Sequence, residues 1–274
     1  MAGASCRFAS IPTAALTRRR NRRALTQPRA YKTRGIVLRR RQLGEADRIV
    51  TLFTREHGKV DAVAKGVRRV RSHMIGRLEF ANECEFVMHR GRSLDVVVSA
   101  EIVRAPWSRL VEPERYAVAS LVAELVDAFC EPELALPDVY QLLSGAIGAI
   151  AASSSPAQVL PRFSLRLLEM LGLAPPLTSC VHCGHPLPPE PVWLDAEAGG
   201  IVDARCRERW RDLPLLTEED LENLRALAAP KSNPAAATLH ATRGAADAVE
   251  ELVAHHLGRR PKSRIALGSL GSSA

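Results

Sequence analysis

Two groups of residues in this 274-residue chain have types and spacings that do chemistry. The first is Cys180-Val181-His182-Cys183, followed after nineteen intervening residues by Asp203-Ala204-Arg205-Cys206. A CxxC turn presents two thiolates at a tetrahedral angle, and a second knuckle at such a distance closes a structural zinc site. Here the second knuckle reads DxxC. Cys180, Cys183 and Cys206 supply three sulfurs, and the fourth donor is the Asp203 carboxylate or a ring nitrogen of His182 or His185. The expected occupant is one structural zinc ion, and a site that has lost its metal is the alternative. Zinc deaminase chemistry is excluded, because it needs a glutamate two residues after a ligand histidine and a Pro-Cys-x-x-Cys, and the sequence has neither. A thioredoxin-like redox pair is poorly matched, since Cys180 does not follow a strand and open a helix.

The second group is a concentration of positive charge. Between Tyr31 and Arg104 stand sixteen Lys or Arg against nine Asp or Glu, clustered at Arg39, Arg40 and Arg41 and at Lys65, Arg68, Arg69 and Arg71. Such a surface holds a nucleic-acid backbone by neutralising phosphates and releasing their counterions. The competing reading is a solvated charged face.

The elements that must carry these charges are five short segments, Tyr31–Leu38, Arg48–Phe53, Val60–Ala64, Cys84–Met88 and Leu94–Val98, rich in β-branched and aromatic residues and bounded by turn formers such as His57-Gly58 and Arg90-Gly91. The first two connections are too short for anything but hairpins, while Val67–Ala81 has room for one helical turn. This spacing predicts a small antiparallel barrel with the layout of an OB-fold. Phe53, Phe80 and Phe86 are expected in its core.

After Pro106 the pattern changes to a helical period. Val118, Leu121, Val122, Leu125, Val126 and Phe129 mark one face, a second helix begins near Pro137, and a third follows Ser153–Pro156 as far as Gly172. Thr217 with Glu218, Glu219 and Asp220 starts another helix that Pro230 ends, and a last one carries Val249, Leu252 and Val253. The predicted class is therefore α+β: a disordered basic arm over 1–30, an N-terminal five-stranded OB-fold barrel over 31–104, an α-helical domain over 105–177 and 211–265 with a zinc-finger-like module embedded at 178–210, and a disordered tail over 266–274.

Charge is polarised along the chain. The net +8 divides into seven arginines and no acid before Tyr31, a surplus of seven in the barrel, and fifteen basic against twenty-one acidic residues after it. A basic front and an acidic back suit contact with nucleic acid at one end and proteins at the other. No apolar run is long enough to cross a bilayer. Six cysteines in a chain this long do not read as a disulfide scaffold, and the arm lacks the apolar core of a secretory signal. A cytoplasmic location is expected, with an organellar transit peptide or a misplaced start codon as other accounts of the arm.

Several stretches resemble the bacterial recombination mediator family RecO: Tyr31–Leu38, Gly44–Val50 with Leu52-Phe53-Thr54, Gly58-Lys59 with Ala64–Arg69, Arg162-Phe163 with Leu167–Gly172, Cys180–Gly184 and Gly199-Gly200. The resemblance spans about 31–265 in the family's order. It implies an OB-fold, a helical domain and a zinc-finger-like module in a protein that binds single- and double-stranded DNA, anneals complementary strands, and works with RecR to load RecA onto strands covered by single-strand-binding protein, in the cytoplasm at the nucleoid. Carried to this chain, Lys32, Arg34, Arg39, Lys65, Arg68, Arg69 and Arg71 would contact the backbone, the metal would sit on Cys180, Cys183 and Cys206, and Asp203 stands where many members have Cys. Arg162 and Arg166 are the expected contacts for the acidic tail of single-strand-binding protein.

Annealing needs no nucleophile or general base, and the sequence offers no coherent catalytic set, so no enzymatic activity is expected. The low aromatic content, 4%, points to binding led by charge rather than by base stacking. The alternatives are an RNA-binding OB protein with a zinc knuckle and a protein adaptor whose barrel charge is only solvated.

Overall fold

The computed structural model describes residues 29–69, 72, 74–207, 212–229 and 240–264. The expected arm before 29, the expected tail, Arg71 and Pro230 lie outside the described residues.

Five strands, β1 (Ala30–Leu43), β2 (Asp47–Thr54), β3 (Gly58–Ala64), β4 (Glu83–His89) and β5 (Asp95–Arg104), form a closed barrel in the order β1-β2-β3-β5-β4. That is the OB arrangement, with β4 returning to β1. Every pairing is antiparallel except β3 with β5, which meet over only Ala62–Asp95 and Val63–Val96. Strict alternation makes the interior: in β3, Val60, Ala62 and Ala64 are buried while Lys59, Asp61 and Val63 are partly exposed, and Val37, Leu52, Phe86, Met88 and Val97 fill the rest.

β1 runs farther than expected, through Arg39–Arg41. A register shift between Val37 and Arg39 accommodates this. A bulge bends a strand and sharpens its twist, so one 14-residue strand pairs with β4 through its first half and with β2 through its second. The segment between β3 and β4 consists of turns where it is described, without the helical turn for which it has room.

The helices are α1 (Trp107–Leu110), α2 (Pro113–Phe129), α3 (Pro137–Ala152) and α4 (Val159–Met170), and, after the module, α6 (Glu218–Ala228) and α7 (Arg243–Leu257). Pro113 and Pro137 open α2 and α3, where a missing N–H is harmless. The Ser-Pro start expected for the third helix belongs instead to a 3₁₀ turn, Pro156–Gln158, that precedes α4. Thr217 and Asp220 form a reciprocal capping box at α6, and Gly258, at φ +65°, closes α7.

The embedded module is built on a sheet absent from the sequence reading: β6 (Val192–Asp195) between β7 (Gly200–Val202) and β8 (Leu215–Leu216), with the short α5 (Ala204–Arg207) after β7. Its Val192, Leu194, Ile201 and Leu216 join the core of the helical domain. That core also reaches the barrel, because Ile36, Leu38, Phe53 and Phe80 turn outward to pack with Leu110, Val122 and their neighbours. Phe53, Phe80 and Phe86 are all buried, as expected of core residues. The β2–β3 hairpin also meets the helices through their α2–α3 loop, Glu133 N–H donating to the Lys59 carbonyl at 3.0 Å. Among the described residues no helix is long and apolar enough to cross a membrane.

Candidate nucleic-acid interface and metal centre

The turn after β3 is held in one shape. Gly66 has φ +62°, a conformation that favours glycine, and its N–H donates to Asp47 Oδ1 at 2.7 Å. Arg68 N–H donates to the Ala46 carbonyl at 3.0 Å and Arg69 N–H to the Gly66 carbonyl at 3.1 Å. The turn is thereby docked on the β1–β2 hairpin, and Lys65, Arg68 and Arg69 point into solvent there, as does Arg41 near the end of β1. Lys32 is exposed on the first half of β1.

Arg34 and Arg39 stand elsewhere. Arg34 Nε donates to Glu83 Oε1 at 2.8 Å, while Arg104 Nη2 lies 3.1 Å from Oε2 of the same carboxylate. Tyr140 donates its hydroxyl to Glu83 Oε1 at 2.8 Å, and Ser144 Oγ lies 3.2 Å from Oε2. Glu83 is only 3% exposed. Burial raises its pKa, but the Tyr140 hydrogen bond and the two guanidinium groups outweigh that and hold it below the usual carboxylate range. Tyr140 is driven the other way by burial and by Glu83. Arg39 Nε reaches Thr51 Oγ1 at 3.0 Å and Asp127 of α2 at 3.3 Å, and Lys59 shares Asp127 at 3.3 Å. Arg40 and Arg48 pair with Glu79. These charges are answered by carboxylates at or near the barrel–helix junction.

A further set of cations lies at the other end of the barrel, in a loop the sequence reading took only as a turn. Arg90 and Arg92 of the β4–β5 connection, with Arg29 before β1, line a groove of about 1130 Å³ walled on its far side by Lys59 and Pro132. Arg90 lies over the Tyr31 ring at 4.6 Å. The signal was present, since three arginines flank Gly91 and the start of β1, but spacing alone does not bring Arg29 beside Arg92.

In the module, the two knuckles meet. One ligand atom from each of Cys180, Cys183, Asp203 and Cys206 lies within 4.8 Å of all the others. The first knuckle is folded by Gly184 N–H on the Cys180 carbonyl (2.8 Å), with Gly184 at φ +74°. The second is folded by Cys206 N–H on Asp203 Oδ1 (2.9 Å). Asp203 completes the group, whereas the side chain of His182 turns to Asp195 (2.9 Å) and His185 is exposed. Burial raises the Cys180 thiol, but backbone N–H groups of Asp203, Cys183 and His182 outweigh it and lower its pKa. Cys206 is pushed up to about 12 by burial and by the Cys183 and Cys180 thiols beside it. Burial also raises Asp203, and the Cys206 N–H and Arg205 more than reverse it. Tetrahedral ligands at about 2.3 Å from an ion stand roughly 3.8 Å apart, so a small contraction closes this set on a metal. The group can hold a metal ion, and its donors fit zinc.

Arg162 and Arg166 of α4 line one cavity of about 590 Å³, facing Leu142 and Ala146 of α3 and His240. Arg162 donates to the carbonyls of Leu227 (2.9 Å) and Ala229 (3.1 Å) at the end of α6, and Arg166 pairs with Glu169.

Comparison with known proteins agrees with this architecture segment by segment. The family model described as Recombination protein O N terminal matches residues 29–106, the barrel, and that described as Recombination protein O C terminal matches residues 111–265, the helices and the module. Among curated relatives, the DNA repair protein RecO of Bifidobacterium longum, from strains DJO10A and NCC 2705, is 41% identical over 175 residues, which is 63% of this chain and 72% of each relative. The barrel, the helical domain and its embedded four-donor module are thus those of a recombination and repair protein, and the chain belongs to the RecO family.

Proposed function

We propose that this family member is a non-enzymatic recombination mediator in DNA repair that binds single- and double-stranded DNA, anneals complementary strands and, with RecR, helps load RecA onto strands covered by single-strand-binding protein. The observation that carries the reading is the docked turn at Lys65, Arg68 and Arg69, three exposed cations held against the β1–β2 hairpin of an OB barrel. In OB-folds that hairpin borders the ligand face. Lys32 and Arg41 extend the same service along β1, and Arg71 belongs to it by sequence. Arg34 and Arg39 contribute mainly by fixing the barrel against the helices.

One zinc ion on Cys180, Cys183, Asp203 and Cys206 would hold the two knuckles together and would serve as structure rather than chemistry. The cavity beside Arg162 and Arg166 suits an acidic, partly apolar peptide such as the tail of single-strand-binding protein, because cations stand at an apolar wall. The setting for this work is the cytoplasm, at the nucleoid.

The test is annealing of two complementary oligonucleotides coated with cognate single-strand-binding protein, comparing the intact chain with a K65A/R68A/R69A variant. Acceleration by the first and not by the folded second is the expected result. No acceleration by either removes the annealing reading, and preference for matched RNA over DNA would turn it toward RNA.

A further inference from the structure

The groove at the other end of the barrel is built for an anion. Arg29 and Arg92 are exposed and Arg90 is half-buried, and among the described residues none of the three has a carboxylate partner. The Nε of Arg90 is buried without a hydrogen-bond partner. The nearest acid, Asp95, is already engaged, accepting from the Tyr31 hydroxyl at 2.6 Å and from Gly91 N–H at 3.0 Å. These bonds fix the loop that carries the arginines. Gly91 is required there, because a Cβ would sit 1.8 Å from the Leu94 carbonyl oxygen. A cationic loop held rigid before its ligand arrives loses less entropy on binding.

The ligand class follows from the lining. The groove, about 1130 Å³, is as large as or larger than the roughly 300–1,000 Å³ of small-molecule pockets, and it is walled mainly by charged and polar side chains. Tyr31, whose ring borders it, is covered by Arg90 and by His57 at 4.6 Å, so no bare aromatic face is offered to a base. What remains is recognition of a phosphate backbone. Its place is equally informative. The groove adjoins the first residue of β1 and the Lys65–Arg69 turn docks on the hairpin after its last, so 14 residues of strand lie between them. At about 3.3 Å per residue this contour is on the order of 40 Å, several times the Debye length of about 10 Å. A strand at one site does not repel a strand at the other.

We propose that the Arg29–Arg90–Arg92 groove is a second binding site for the phosphodiester backbone of single-stranded DNA, distinct from the Lys65–Arg69 turn, so that one chain holds two strands at once. This rests on the annealing reading above and deepens it: the two backbones are neutralised at separate places, and the bases of each strand remain free to find the other.

The experiment uses the full chain and two non-complementary oligothymidylates carrying donor and acceptor dyes. Energy transfer at saturation reports co-occupancy, and annealing of complementary strands is followed in parallel. The R29A/R92A variant removes two exposed side chains. It is expected to abolish co-occupancy, to reduce annealing about tenfold, and to leave binding of the first strand intact, while the salt slope of the lost step falls by about 0.7 per cation removed. The K65A/R68A/R69A variant should lose the other binding step. If the parent chain anneals but R29A/R92A retains both co-occupancy and annealing, or if the parent holds one strand only, the second site is overturned and the annealing reading stands. If R29A/R92A loses affinity for a hairpin duplex and none for single strands, the ligand is wrong. A parent chain that neither binds nor anneals overturns the annealing reading first.

Discussion

Tyr140 of α3 donates its hydroxyl to Glu83 of β4 at 2.8 Å, across the junction between barrel and helices. Glu83 also answers Arg34 of β1 and Arg104 of β5, so one buried carboxylate joins three strands to a helix.

Replacing Tyr140 by Phe withdraws one partner from a carboxylate that water cannot reach, and a loss of roughly 1–2 kcal/mol in urea unfolding is expected. Glu83→Ala leaves Tyr140 unpaired as well as both guanidinium groups, but these are 38% and 37% exposed at the side chain and recover some hydration. Its expected cost is on the order of 2–3 kcal/mol, below that of a fully buried pair. An unchanged urea midpoint for Tyr140→Phe would show that the junction is held elsewhere.

Acid should loosen the C-terminal edge. Burial raises Glu124 of α2, yet the N–H groups of Ser263 and Lys262 and the Arg259 guanidinium overcome it and hold the pKa at about 2. A carboxylate depressed in the folded state stabilises above its unfolded pKa of about 4.3, and that contribution fades as pH falls toward the folded value. The parent should therefore lose stability more steeply between pH 4 and 2 than Glu124→Gln, read from thermal melts at each pH. Parallel curves would dismiss the contact.

Binding to a single strand should be strongly salt-dependent, with a slope of about −0.7 in log K against log salt for each phosphate neutralised. K65A/R68A/R69A should flatten that slope by about 2 while its circular dichroism stays that of the parent. A nearly flat slope in the parent would instead favour an adaptor whose charge is only solvated.

For the metal centre, the expected content is one zinc per chain, with a chelator lowering the melting temperature. Asp203→Cys should bind zinc more tightly by supplying a fourth thiolate, and Cys180→Ser should bind it weakly, both read by competition with a chelating dye. Equal and negligible zinc in parent and Asp203→Cys would mark the cluster as a relic.

Gly58→Ala is the sharpest test of the barrel's contact with the α2–α3 loop. Gly58 has φ +65°, and an added Cβ would lie 1.9 Å from the Leu134 carbonyl oxygen. Backbone on both sides must move, at a cost of roughly 2 kcal/mol or more. Full stability would mean that the loop yields freely.

The barrel was legible because each strand wrote its own period: Val60, Ala62 and Ala64 alternate with polar or lining residues, and Gly58 and Gly44 punctuate the turns. β1 was read too short because a bulge at Val37–Arg39 breaks the alternation without ending the strand. The sheet β6–β8 escaped because its strands are two to four residues long, too few to show a period. Among the arginines the difficulty was of another kind. Arg34 and Lys32 are two residues apart on one strand, and only the fold reveals that one of them meets Glu83, 49 positions away. The fourth metal donor was undecidable for a similar reason, since His182 is taken by Asp195 from a strand that the sequence did not announce.

Families divide this chain at about residue 110, but its physics does not. Ile36, Leu38, Phe53 and Phe80 belong to the barrel by sequence and to the helices by packing. Cut free at that border, residues 29–106 would carry a greasy flank into water and leave Glu83 without Tyr140. The unit that evolution counts as two is, for the purposes of expression and storage, indivisible: a barrel fragment prepared to isolate DNA binding would aggregate through the very surface that gives the intact chain its rigidity.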